Sequence, residues 1–265
     1  MHEPSLNPYD TPEHAPEESG ADVSKLPPGP YGAYRDNRIL VRWVIGTVLL
    51  YLAFNLFWAV VNLLYTYSVT ASSSELFNRI VEIAERAAWV NIISFVLFGV
   101  WINRTGKNAW LFQQLKTRAK DPKLPKAESL SDTPGWAVGW YFIPIANLWK
   151  PFTAMRDFVR ASVTVEPMPS YLLPFWWALW LLSSFGDTTT GDGFTALTAA
   201  WSADAVVVAV TCASGVNVGL AVIAIQLLRS VTRLQHDSAI YFASMPPEQL
   251  AARPKSALPI EGPHA

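Results

Sequence analysis

The sequence predicts an all-α membrane protein: a bundle of four transmembrane helices with a proline-broken re-entrant or interfacial segment on the cytoplasmic side. Three observations predict it. Apolar residues make up 51% of the 265, and they gather in blocks without Asp, Glu, Lys, Arg or His instead of spreading as in a soluble core. Two blocks are long enough to cross a bilayer outright, Trp43 to Tyr65 with 23 residues and Ala205 to Leu228 with 24, since a hydrocarbon core of ~30 Å needs about 20 helical residues. The net charge is only −1, but the charges are placed so unevenly that they specify an orientation.

Taken in order, residues 1–38 carry Pro4, Pro8, Pro12, Pro16, Pro27, Pro28 and Pro30 with little aliphatic clustering. Such a stretch buries too little apolar surface to offset its chain entropy, so a disordered cytoplasmic tail is expected. A membrane domain is expected over 39–241. Its first span, about 43–65, follows Arg35, Arg38 and Arg42 and is too long for the apolar core of a signal peptide. Ser72 with Glu75 fits a capping box, which starts a helix near Ser73. That helix carries the charged residues Glu75 to Arg86 above the membrane and becomes the second span, 87–102. Residues 103–135 read as a basic loop, broken by Pro122 and Pro125. Over 153–163, Met155, Phe158, Val159 and Val163 recur opposite Arg156, Asp157 and Arg160, the pattern of a short amphipathic helix suited to a membrane surface. The last spans are expected at about 168–186 and 205–228, and a second disordered cytoplasmic tail at 242–265.

Whether 136–152 crosses the membrane is decided by basic residues. If it does not, four spans leave 18 of the 20 Lys and Arg inside and two outside; if it does, five spans leave 11 inside and nine outside. The first arrangement obeys the positive-inside rule and puts both termini in the cytoplasm. Pro144 and Pro151 fit it too, because each removes a helical donor and clashes with the preceding turn. Trp43, Trp101 and Trp110 fall near the cytoplasmic ends of spans, and Trp89 and Trp201 near the outer ends, where amphipathic rings prefer to sit.

The strongest motif is Trp136-x-x-x-Trp140-x-x-x-Pro144-x-x-Asn147-x-x-x-Pro151. The run Pro-Gly-Trp-Ala-Val-Gly-Trp-Tyr-Phe-Ile-Pro-Ile-Ala-Asn-Leu-Trp-Lys-Pro-Phe (134–152), followed by Ala154-Met155-Arg156-Asp157, resembles the signature of a bacterial membrane family, domain of unknown function 4328. Trp101-Ile102-x-Arg104 with Asn108 resembles that family as well. The likeness covers roughly residues 40–235. It implies a multi-span protein of the bacterial cell membrane and no particular activity.

Within the segment, Asn147 lies between two prolines and carries donors and an acceptor, so it is expected to bond the backbone groups they free. Trp140, Pro144, Asn147 and Pro151 are the candidates there for structural or ligand contacts. Asn55, Asn62, Asn91 and Asn217 lie within spans, where polar side chains usually face the bundle. Gly215-x-x-x-Gly219, extended by Thr211, is a small-residue stripe that permits close helix approach, within one chain or between two. The spans hold no His, Asp, Glu or Lys, so neither a catalytic constellation nor a proton relay is expected. The single Cys212 allows no intramolecular disulfide, and no cofactor or metal is expected. Membrane lipids are the expected partners, with a membrane-protein partner or a second copy as options. The basic loop lacks the aromatic interleaving of a nucleic-acid surface. The reading that follows is a non-enzymatic accessory or scaffold protein. The alternative is a small-solute or lipid-handling protein with its site between 136–152 and the spans. A cavity lined by Asn55, Asn62, Asn91 and Asn147 would favour the alternative, and a closed, dry bundle the scaffold.

Overall fold

The computed structural model describes residues 21–67, 74–119, 121–127, 129–164, 168–187 and 202–250; over 62–67, 74–88, 185–187 and at Ala203 it describes the backbone alone. Among these residues the chain is helical and has no strand. The helices are α1 (Arg38–Tyr67), α2 (Ser74–Arg118), α3 (Pro134–Gly139), α4 (Lys150–Ser162), α5 (Leu172–Asp187), α6 (Ala203–Ser244) and α7 (Pro247–Leu250), with 3-10 turns at Val23–Lys25, Trp140–Phe142 and Ala146–Leu148.

Among the described residues two helices are long and apolar enough to cross a bilayer, Arg38–Val61 within α1 and Asp204–Ser244 within α6; the apolar part of α5, Leu172–Ser184, is shorter. Only 17% of the most apolar window of α1, and 6% of that of α6, is buried inside the protein. The core helix of a soluble protein would be mostly buried. Here Leu49, Leu50, Phe57, Val60, Val208 and Val222 face outward, a wall of apolar surface that points to membrane association.

α1 packs along α6 and α2, and α5 packs along α6. The space between α2 and α5 is closed by rings from the Trp140–Phe142 turn. Tyr141 stands edge-on to Phe95 and Phe98 of α2, with centroids 6.2 Å away in each case, and to Trp180 of α5 at 5.8 Å.

α2 has 45 residues and α6 has 42, so at ~1.5 Å per residue each is about twice as long as a bilayer core is thick. Their C-terminal halves project together and form a cap. This corrects the loop expected from residue 103, because α2 runs unbroken to Arg118. Trp101, Thr105, Asn108, Phe112 and Leu115 are buried at helical spacing, while Arg104 and Lys107 lie on the less buried side. The charges suggested a loop, and the stripe between them makes a helix.

Residues 21–37, expected to be solvated, line this cap. Leu26 joins Leu111, Phe112, Leu115, Ala239 and Phe242 in one cluster. Gly29 lies so close to α2 that a Cβ there would sit 2.9 Å from Leu111 Cβ and 3.0 Å from its Cα. The Arg35 N–H donates to Asn108 Oδ1 at 3.1 Å, and Asn108 Nδ2 donates back to the Arg35 carbonyl at 2.9 Å. Phe242, expected in the second tail, is also buried. The rest of both expected tails, 1–20 and 251–265, lies outside the described residues, as does Ser72 of the expected capping box.

A polar network ties the cap together. Gln235 of α6, 1% exposed, donates from Nε2 to the Thr105 carbonyl at 2.9 Å and to Ser162 Oγ at 3.1 Å, and accepts from Asn108 Nδ2 at 3.0 Å. Ser238 donates to the Ser162 carbonyl. Trp101 Nε1 donates to Thr232 Oγ1 at 3.2 Å.

α4 is the amphipathic helix read from the sequence, extended to start at Lys150. Its apolar face, however, packs on protein. Met155, Phe158 and Val159 are buried, and Phe158 meets α2 at Gly106, where a Cβ would lie 2.8 Å from its Cζ. Only glycine permits that approach.

Candidate functional site

The asparagines of the spans come together. A cavity of about 160 Å³ lies between α1, α2, α5 and α6, and Asn55, Asn91, Ser94 and Asn217 supply its polar lining. Phe98, Trp176, Trp180 and Leu228 supply much of the apolar wall. Each of three helices carries one asparagine and, seven residues nearer the cap, one apolar lining residue: Val48 below Asn55, Phe98 below Asn91, Ala224 below Asn217. Seven residues are about 10 Å of helix, so a polar layer sits roughly that far above an apolar floor.

Asn55 Nδ2 donates to the Tyr51 carbonyl one turn back, at 2.9 Å, and Ser94 Oγ to the Val90 carbonyl at 2.8 Å. Asn91 is exposed, and Asn55 and Asn217 are half-buried. Among the described residues the side chains of Asn91 and Asn217 have no hydrogen-bond partner. Tyr51 also lines the cavity, and no Asp, Glu, Lys, Arg or His does. The side chain of Asn62 lies outside the described residues.

The 136–152 segment stands beside this cavity rather than lining it. Thr133 caps α3 and Pro134 occupies its first turn, where a missing N–H is harmless. Tyr141 is buried behind the cavity walls, and its hydroxyl has no partner among the described residues. Trp136, Phe142, Ile145 and Trp149 are exposed, as suits a segment in contact with lipid or its interface. Trp140 turns the other way: its Nε1 donates to Asp132 Oδ1 at 2.9 Å, and Lys150 Nζ lies 5.0 Å from its ring centroid. Asp132, 6% exposed, also accepts from Ser131 and lies 3.9 Å from Lys150 Nζ.

Two residues of the segment depart from expectation. The Asn147 side chain bonds no freed backbone among the described residues, and its Oδ1 is buried without a partner among them. Pro151 interrupts nothing, since it sits in the first turn of α4. Pro144 is exposed. Of the glycine stripe, Gly219 packs on α5, where a Cβ would lie 3.6 Å from Leu179 Cδ1, whereas Gly215 has open space in front of it. Sequence reasoning missed Ser94, Trp176, Trp180 and Tyr141. Their signal, one polar or aromatic residue per turn facing one point, exists only once the helices are paired.

Among the described residues, fold and site make a helical protein with two helices long and apolar enough to cross a membrane and an amphiphilic, partly open cavity between its helices. The chain belongs to the family described as Domain of unknown function (DUF4328), which matches residues 63–233. Asn91, Asn217 and the 136–152 segment fall inside that range, and Asn55 falls outside it. No curated protein and no solved structure matches the chain.

Proposed function

We propose that this is a four-span protein of the bacterial cell membrane, with both termini and the cap on the cytoplasmic side, that binds a small molecule in the cavity of its bundle. The observation that carries this reading is the convergence of Asn55, Asn91 and Asn217, from three helices, on one space. Packing alone favours pairing such amides with a neighbouring helix. Two amides left without a partner beside a cavity favour a ligand instead. The orientation rests on the 18 basic residues grouped on one side, and the cap made from the basic regions agrees with it. Solute or lipid handling, at a site beside the 136–152 segment, is the corresponding role.

The test has two arms. Reporters fused at Lys126 and Glu248 read cytoplasmic and one at Thr190 external; an external signal at either of the first two ends the four-span topology. Native mass spectrometry from mild detergent then compares the parent with Ala224→Phe, which fills the cavity. A small-molecule adduct present on the parent and lost from the variant is expected. Equal spectra would remove the ligand reading.

A partner-binding subunit is the second reading, favoured by the open face at Gly215 and Thr211 on α6. Here Gly215→Leu shifts a complex or dimer to monomer on size exclusion while the bundle stays folded. Unchanged size would leave this reading without support.

A further inference from the structure

Taking the cavity as a ligand site, as above, we propose that its ligand is an uncharged short amphiphile, with a primary amide or hydroxyl at one end and a chain of about six carbons. Charge is excluded first. No Asp, Glu, Lys, Arg or His lines the space, so an ion there would lose its hydration without a counter-charge. The polar end is fixed next. Asn91 and Asn217 have no hydrogen-bond partner among the described residues, and each amide both donates and accepts. A head group with matching donor and acceptor satisfies both; an ether or ketone, which only accepts, leaves their carbonyls unpaired.

The apolar end follows from the layering. The asparagine level lies seven residues from Val48, Phe98 and Ala224 along their helices, about 10 Å away. Trp176 and Leu228 line the space with them. At ~1.3 Å per carbon, six carbons extend about 8 Å, and the amide head group covers most of the remainder. Volume agrees, because an apolar cavity of about 150 Å³ holds one benzene and this one measures about 160 Å³.

The experiment uses the full chain in phosphatidylcholine nanodiscs and four probes with a bromine at the chain end: 6-bromohexanamide, 6-bromohexan-1-ol, 6-bromohexanoate and 6-bromohexylammonium. Bromine quenches indole fluorescence on contact, so a seated probe dims the two lining tryptophans, Trp176 and Trp180. Saturable quenching by the amide and the alcohol is expected, with at least tenfold weaker binding of the two ions. Trp176→Phe with Trp180→Phe should remove the saturable part, and Asn91→Ser with Asn217→Ser should partly retain the amide that Asn91→Leu with Asn217→Leu loses. Ions that bind as well as the neutral probes would overturn the ligand class and leave the cavity as a site. Saturable quenching that survives Trp176→Phe with Trp180→Phe would place the probe elsewhere and overturn the proposal. If no probe quenches saturably and no adduct is seen by mass spectrometry, the site reading fails with it.

Discussion

Gln235→Leu measures whether the cap is held by its polar network. Leucine is close to glutamine in volume but keeps neither the Nε2 donors nor the Oε1 acceptor. Three hydrogen bonds are lost, to Thr105, Ser162 and Asn108, at 2.9, 3.1 and 3.0 Å. Each is worth about 1 kcal/mol net. The former partners are not fully orphaned: Asn108 Nδ2 still donates to the Arg35 carbonyl at 2.9 Å, and Ser162 Oγ to the Phe158 carbonyl at 2.8 Å. The full penalty for unpaired groups is therefore not added, and the apolar side chain returns part of the loss. A cost of about 2 kcal/mol follows, or roughly 4–8 °C in melting temperature at about 2–4 °C per kcal/mol. Thermal melting in detergent gives the number, with exposed Gln226→Leu as the control. Hydrogen exchange locates it, since the Arg35 N–H depends on Asn108. A Gln235→Leu protein that melts with the parent and protects Arg35 equally would refute the network as a source of cap stability.

Three further outcomes are expected. Asn147→Leu should melt at or above the parent by about 1 kcal/mol, because it removes a buried carbonyl oxygen that has no partner; a lower melting point would mean the amide is engaged by something in the membrane. Deleting 1–20 should leave melting unchanged, whereas deleting 1–37 should cost at least the ~1.5–3 kcal/mol of burying Leu26, with the Asn108 bonds lost besides; equal melting of the two truncations would show that the arm adds nothing. Tyr241→Phe should weaken the cap at pH 7 and not in strong acid. Asp121 is held below the usual carboxylate range by the Tyr241 hydroxyl and then by the Lys123 N–H, so its stabilisation is present at neutral pH and lost as pH falls through that lowered range. Burial and then the Asp121 bond push Tyr241 up to about 12, so the difference should also fade as pH rises from the usual value near 10 through about 12. Parallel pH profiles for parent and variant would contradict this.

Much of the membrane half was legible before any coordinates. The lengths of Trp43 to Tyr65 and Ala205 to Leu228 identify the two longest apolar helices, because a charge-free run is a local property. α4 was legible for a similar reason, as its apolar positions recur every three to four residues. The cap was not. Thr105, Asn108 and Gln235 look like solvated polar residues until they are found to bury one another, and 127 positions separate Asn108 from Gln235. Leu26 has no periodicity of its own; the surface it covers is made by α2 and α6. Asn147 misled for the opposite reason. Its position between two prolines suggested bonds that depend on where the chain turns, and it turns so that Oδ1 meets nothing.

The sequence by itself determined the helical class, the two apolar helices long enough to cross a bilayer and the family, since these depend on composition, run length and a contiguous motif. Tertiary structure alone decided that Asn55, Asn91 and Asn217 share one cavity, that Tyr141 closes the space between α2 and α5, and that residues 21–37 belong to a cap. A hydrogen bond or a cavity wall is a relation between helices, fixed by their register and rotation, and those follow from how whole faces pack rather than from any one stretch of chain.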